Sequence, residues 1–138
     1  MKGSIVIGPR TTIDKGVILR TYGGKISVGP DCSLNPYVIL YGHGGLKIGR
    51  GVRIAAQTVI IPANHTYSDP STYIFEQGET RQGIVIQDNV WLGTGVRVLD
   101  GTTIGEGSVV GAGSVVTKNL QKGGVFVGVP ARKIASRY

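Results

Sequence analysis

Two histidines, His43 and His65, are the side chains here whose ordinary pKa lies near neutrality. His65 opens the long polar excursion Pro62-Ala63-Asn64-His65-Thr66-Tyr67-Ser68-Asp69-Pro70. A neutral imidazole there can take a proton from a hydroxyl as its oxygen attacks a carbonyl carbon. A lone histidine in a polar loop is otherwise plain surface, but a place at the root of the chain's one long loop favours the base. His43 stands among Gly42, Gly44 and Gly45 and reads as surface or as acceptor-site lining, next to Tyr41. The single tryptophan, Trp91, falls at an outward-facing position, which suits a subunit interface or a ligand platform. Thr94 and Ala112 lie 18 residues apart, and Thr117-Lys118 and Arg132 follow. A thin ligand with a phosphate tail could lie along such an edge and meet Lys118 and Arg132, which taken singly are only surface cations.

Those positions are set by a period of six. An aliphatic residue falls at Ile86, Leu92, Val98, Ile104, Val110 and Val116, and four residues after each stands Val90, Val96, Thr102, Ser108, Ser114 or Leu120. Residues two apart on a strand point the same way, so Val96 and Val98 face in while Arg97 faces out. Glycine, Asn and Asp suit the corners between. A hexad period predicts a parallel β-helix in which three short sides close each coil. Ile7 and Ile13 open one coil, Val28, Leu34 and Leu40 a second, and Ile48, Ile54 and Ile60 a third. The phase slips at Gly23-Gly24 and at Gly42-His43-Gly44-Gly45, as corner bulges would make it. From Ile48 to Ile86 is 38 residues where one coil needs 18, so a loop at about residues 62–83 leaves the prism. A loop that long in a compact domain is commonly functional. After Val127 the tail leaves the repeat through Gly128-Val129-Pro130-Ala131 as a short helix or an extended strap.

The 138 residues form a single domain, residues 1–138. No apolar run approaches the ~18 residues of a membrane span, and the opening Met1-Lys2-Gly3-Ser4 runs straight into the first hexads, so no membrane insertion and no signal peptide are expected. One cysteine, Cys32, excludes an internal disulfide and fits a reducing cytoplasm; it falls in an inward slot, a core residue and not a nucleophile. The net charge of +7 is spread over corners and outward slots without a basic run interleaved with aromatics, which argues against nucleic acid and suits an anionic small molecule.

The stretch Asn89-Val90-Trp91-Leu92-Gly93 through Val109-Val110-Gly111-Ala112-Gly113-Ser114-Val115-Val116-Thr117-Lys118, closed by Gly128-Val129-Pro130-Ala131-Arg132, resembles the hexapeptide-repeat acyltransferases of the left-handed β-helix superfamily. The similarity is to the galactoside, maltose and xenobiotic acetyltransferases and to small O-acetyltransferases of bacterial surface-polysaccharide synthesis. It implies an all-β left-handed coil, an acetyl-CoA co-substrate, no metal, and a homotrimer with active sites between subunits. It further implies His65 as catalytic base, with Trp91, Gly93, Thr94, Ala112, Thr117, Lys118 and Arg132 along the cofactor. The acceptor set is Asn35, Asn64, Tyr41 and His43, for a sugar or sugar-nucleotide acceptor. The family's acidic acceptor ligand has no counterpart, and Tyr41 and His43 occupy its region.

The expected function is therefore acetyl-CoA-dependent O-acetylation of a sugar hydroxyl in bacterial polysaccharide or cell-surface glycan synthesis, by direct transfer in the cytoplasm. An amino-sugar N-acetyltransferase or an antibiotic acetyltransferase uses the same residues and stays open. A γ-class carbonic anhydrase site needs three histidines where two exist. A non-catalytic ice-binding helix would carry threonine ladders where Arg53, Trp91, Arg97 and Val109 stand.

Overall fold

In the computed structural model, residues 2–138 are described, and they form a three-sided stack of short parallel strands. The first face holds Ser4–Ile7, Lys25–Val28, Leu46–Ile48, Ile84–Ile86 and Thr103–Ile104. The second holds Thr12–Ile13, Ser33–Leu34, Arg53–Ile54, Trp91–Leu92, Val109–Val110 and Gly124–Val127. The third holds Ile18–Arg20, Ile39–Tyr41, Val59–Ile61, Arg97–Leu99 and Val115–Val116. On the second face Thr12 pairs with Ser33, Ser33 with Arg53, Arg53 with Trp91 and Trp91 with Val109, steps of 21, 20, 38 and 18 residues. The regular hexads set the 18-residue coil, and the longer steps carry the corner insertions.

Every inward position named from the six-residue period, from Val28 to Val116, is buried. Burial of each Leu or Ile is worth about 1.5–3 kcal/mol against exposure. Polar residues in inward slots are hydrogen-bonded: Thr58 Oγ1 donates to the Gly93 carbonyl at 3.0 Å and Ser108 Oγ to that of Gln121 at 2.9 Å. Cys32 is fully buried, its thiol directed at the Gly49 carbonyl at 3.1 Å, as an inert core residue should be. The corners need a left-handed residue in each coil. Between the first and second faces that place falls to Asp31, Gly51, Asn89 and Gly107, with φ of 61°, 67°, 57° and 71°. Asn and Asp tolerate this region better than most residues, and glycine enters it freely.

All the corner insertions fall on one edge, between the third and first faces. Thr21 to Gly24, Gly42 to Gly45 and Pro62 to Gly83 successively occupy it, so the long loop is the third bulge in a column of bulges. Stacking there is close: a Cβ on Gly24 would lie 1.8 Å from the Gly42 carbonyl oxygen. The loop is an ordered arm. Asn64–His65 pairs antiparallel with Glu79–Thr80, and a 3-10 turn covers Ile74–Glu76. The tail is a strap, with Arg132–Ser136 running antiparallel along Gly124–Val127. Among the described residues no coil lies beneath the first, and Ile5 and Ile13 are 45% and 49% exposed.

Leu92 sits mid-stack between Ile54 and Val110 with no exposed surface. Leu92→Ala should cost about 2–5 kcal/mol, measured by urea unfolding; a loss under ~1 kcal/mol would mean that the stack collapses onto the gap.

Candidate active site

His65 is exposed on the outgoing limb of the arm, held by the short ladder that puts it opposite Glu79. Directly opposed residues of an antiparallel pair project from one side of the ladder, which sets Glu79 beside the imidazole. The Glu79 carboxylate accepts from Arg81 Nε at 2.8 Å, and this bond holds its pKa below the usual carboxylate range. No hydrogen bond joins His65 to a carboxylate among the described residues.

The base of the arm is fixed from neighbouring coils. The Asp100 carboxylate accepts from the Gln82 N–H at 2.9 Å and the Gly83 N–H at 2.8 Å. Gly44 N–H donates to the Pro62 carbonyl at 3.1 Å, and Arg81 Nη1 to the Tyr22 carbonyl at 3.0 Å. Farther out, the Gln77 side chain clamps Asp69, accepting its N–H at 3.0 Å and donating to its carbonyl at 2.8 Å. Asp100 and Gln77 were not singled out by sequence reasoning. Asp100 lies on the same edge one coil beyond the loop, and that placement is the signal that would have found it.

His43 is less of a surface residue than its glycine neighbours suggested. Its ring stacks on Tyr22 with centroids 4.3 Å apart, and Tyr41 lies edge-on to Tyr22 at 4.8 Å. His43 Nδ1 is buried without a hydrogen-bond partner. That loss of solvation pushes the His43 pKa below 6.5, while Glu79 pulls the other way and the His65 charge assists. Tyr41, His43, Asn64 and His65 thus gather on the edge between the third and first faces.

The candidate cofactor residues gather elsewhere. Trp91 projects from the second face, 54% exposed. Thr94 and Ala112 stack on the edge between the second and third faces, where Gly113 N–H donates to the Thr94 carbonyl at 2.8 Å. Among the described residues no hydrogen bond engages the N–H of Thr94 or of Ala112, so this edge offers free donors to a ligand. Gly93 is buried beneath: a Cβ there would lie 2.8 Å from the Ala112 nitrogen, so its part is to let the two corners close. Asn35 is exposed at the same edge near the other end of the stack. Arg132 follows the turn at Val129-Pro130 near that edge, whereas Thr117 and Lys118 leave the third face toward the edge of His65. One chain therefore does not bring Asn35, Trp91, Thr94 or Ala112 to His65, because the whole third face lies between them.

That face presents Ile18, Ile39, Val59, Ile61, Leu99 and Val115 outward, with Arg97 between Val59 and Val115 and Arg20 beside Tyr41; Ile18 is 45% and Leu99 38% exposed. The outward column of the first face is more polar, with Ser27 and Lys47 between Val6 and Val85, and Thr103 beyond. Among the described residues no group of histidine, cysteine and carboxylate could hold a metal ion, and no helix is long and apolar enough to cross a membrane.

Because the pKa of His43 is lower folded than unfolded, the unfolded chain takes up that proton first as pH falls. The stability tied to neutral His43 is complete above 6.5 and is lost as pH drops through the folded value. An NMR titration should give His43 a midpoint under 6.5. His43→Phe should lose less stability than wild type on acidification from about pH 7 to about pH 5; equal losses would show that the ring is solvated.

Residues 83–118 match the family described as bacterial transferase hexapeptide (six repeats). Over 99% of its length the chain is 38% identical to the Escherichia coli protein named "Putative lipopolysaccharide biosynthesis O-acetyl transferase WbbJ", of which it covers 73%. Against two further curated relatives it spans 42% and 58% of their length. Among solved structures, AntD, an N-acyltransferase from Bacillus cereus in complex with dTDP and 3-hydroxybutyryl-CoA, superposes with a TM-score of 0.84 at 28% identity, covering 99% of this chain and 78% of that one. A hexapeptide-repeat acetyltransferase from Vibrio cholerae in complex with acetyl-CoA gives 0.84 at 26% identity, covering 96% and 70%. A hexad-built stack, an arm carrying a histidine and this likeness over the full chain lead to one assignment: the protein belongs to the hexapeptide-repeat acyltransferases and has their left-handed β-helix.

Proposed function

We propose that the protein is an acetyl-CoA-dependent O-acetyltransferase for a sugar hydroxyl in bacterial polysaccharide or cell-surface glycan synthesis, working in the cytoplasm as a homotrimer. One observation carries this reading. The third face, mostly apolar apart from Arg20 and Arg97, is flanked on one side by the arm of His65 and on the other by the open edge of Thr94 and Ala112. Turning that face toward a three-fold axis buries its isoleucines and valines, and sets the arm of one copy against the open edge of the next. Each site then draws its base from one subunit and its donor platform from a neighbour.

In such a site the pantetheine arm of acetyl-CoA lies along the free N–H groups of Thr94 and Ala112, close to Trp91. Gly93 supports that edge, Arg132 faces the phosphates from the same edge, and Thr117 and Lys118 face them across the cleft. Asn35 and Asn64 hold the acceptor, with Tyr41 and His43 behind it. His65 takes the proton of the acceptor hydroxyl while its oxygen attacks the thioester carbonyl carbon. Backbone N–H groups stabilise the tetrahedral oxyanion. The carbon–sulfur bond then breaks, and His65 returns the proton to the CoA thiolate. No covalent acyl-enzyme is required, in keeping with a buried Cys32. Transfer to an amino sugar is the second reading, favoured by the likeness to AntD, an N-acyltransferase. A primary amine can use the same base and the same thioester.

His65→Ala should lower turnover by about 10²–10⁴-fold while leaving CoA affinity near wild type. Ala112→Asp, which sets bulk and negative charge along the open edge, should abolish CoA binding in an assembled, folded protein. Mixing the two inactive variants as unfolded chains and refolding them together should restore roughly a quarter of wild-type activity, because in random trimers about that share of sites draws an intact base and an intact edge from different copies. No recovery in properly assembled mixed trimers would place both groups in one chain's site and overturn the shared arrangement.

A further inference from the structure

Past Glu106 the sequence carries no Asp or Glu, yet Lys118, Lys122, Arg132, Lys133 and Arg137 all follow it. Stacking gathers these cations toward one end of the prism. Gly124–Val127 is the last parallel strand of the second face, and the strap Arg132–Ser136 lies beyond it as the terminal strand of that sheet. All five cations are exposed, and none forms a salt bridge among the described residues. Lys118 and Arg132 already have a part in holding CoA. Lys122, Lys133 and Arg137 have none.

The cap is ordered. Arg137 N–H donates to the Gly123 carbonyl at 2.7 Å and its Nη1 to that of Gly107 at 2.9 Å, while the Tyr138 ring lies so near Gly123 that a Cβ there would come within 2.8 Å of it. Lys133 pairs with Phe126, which is turned into the core, so Lys133 projects over the end of the stack. The register shifts between Val125 and Phe126, which leaves Ile134 unpaired at the bulge. Ile134 is 64% exposed, and Val129, before the strap, 71%. Cations and aliphatic side chains at one level match a layer of lipid headgroups, with the charges at the phosphates and the aliphatics at the acyl boundary. A single-stranded nucleic acid would need aromatic platforms for its bases, and the exposed ring at this end, Tyr138, is turned to Gly123. The first coil also bears cations, but Arg10 is paired with Asp31, Lys15 adjoins Asp14, and Arg20 lies over the Tyr22 ring.

We propose that the strap end of the prism docks on an anionic lipid surface, with Lys122, Lys133 and Arg137 at the headgroup phosphates and Ile134 dipping beneath them. Each cation brought near an anionic leaflet raises affinity about five-fold. Three-fold symmetry turns all the straps of the trimer proposed above to one side, so three sets of these residues meet the surface together. The protein lies on the membrane by this end and does not span it.

Sedimentation with vesicles tests the docking end. Wild type should bind phosphatidylcholine vesicles that contain phosphatidylglycerol and ignore those of phosphatidylcholine alone, and binding should weaken as salt is added. Lys122→Gln/Lys133→Gln removes two ammonium groups that form no salt bridge among the described residues. It should bind at least ten-fold more weakly, and so should Ile134→Asp, both with wild-type CoA affinity. Lys2→Gln/Lys15→Gln, at the other end of the stack, should bind as wild type does. No binding of wild type to the anionic vesicles, equal binding by the strap variants, or a loss on changing Lys2 and Lys15 in their place would overturn the proposal. Tighter binding to duplex DNA, unchanged in Ile134→Asp, would make the end a nucleic-acid surface and overturn it too. Light scattering keeps the two readings apart: a monomer that binds vesicles through the strap fails the trimer and upholds the surface.

Discussion

The parallel ladder between coils is the interaction on which everything else in this protein depends. Each strand is two to five residues long and would not persist alone; it holds its shape because the coil above and the coil below accept and donate at each step. The ladder also settles direction. Once Leu92 lies between Ile54 and Val110 with its side chain inward, Trp91 has to face out over Arg53 and under Val109. The outward character of each candidate site residue on a strand is a by-product of core packing, and it needed no separate device.

Since insertions can occur only at corners without breaking that ladder, the molecule has sorted its roles by edge. The edge between the first and second faces has no long insertion and keeps its left-handed turns in register from Asp31 to Gly107. The edge between the second and third is smooth as well, and bares peptide groups at Thr94 and Ala112. The remaining edge takes every long insertion, and with them both histidines, the aromatic stack and the arm. Two kinds of edge, one flat and donor-rich, one built out and titratable, flank the least polar face.

The six-residue period made the inward positions legible from Ile86 onward, and the same rule read backward found Leu34, Leu40, Ile48, Ile54 and Ile60. It made Trp91 outward and Cys32 inward for a stated reason. The interior of the arm was not legible, because its order rests on contacts of no fixed period: Gln77 around Asp69, Arg81 on Tyr22, and Asp100 under Gln82 and Gly83. The burial of one side of His43 was not legible, because the three glycines around it, Gly42, Gly44 and Gly45, look like an open loop. Gly42 and Gly44 instead let the neighbouring corners close until the imidazole loses its water on one side.

The arm leaves the stack at Pro62 and rejoins it at Gly83, and both points are tied to adjoining coils, the first through Gly44 and the second through Asp100. Topologically the residues between are a parenthesis: the sentence of the coil reads on whether they are long, short or replaced. Mutation can therefore rewrite the arm's tip, where Tyr67, Tyr73 and Phe75 stand in solvent, at the pace of a surface loop. The scaffold that aims it drifts at the slower pace of a core. A lineage built this way can try new acceptors without renegotiating how it folds.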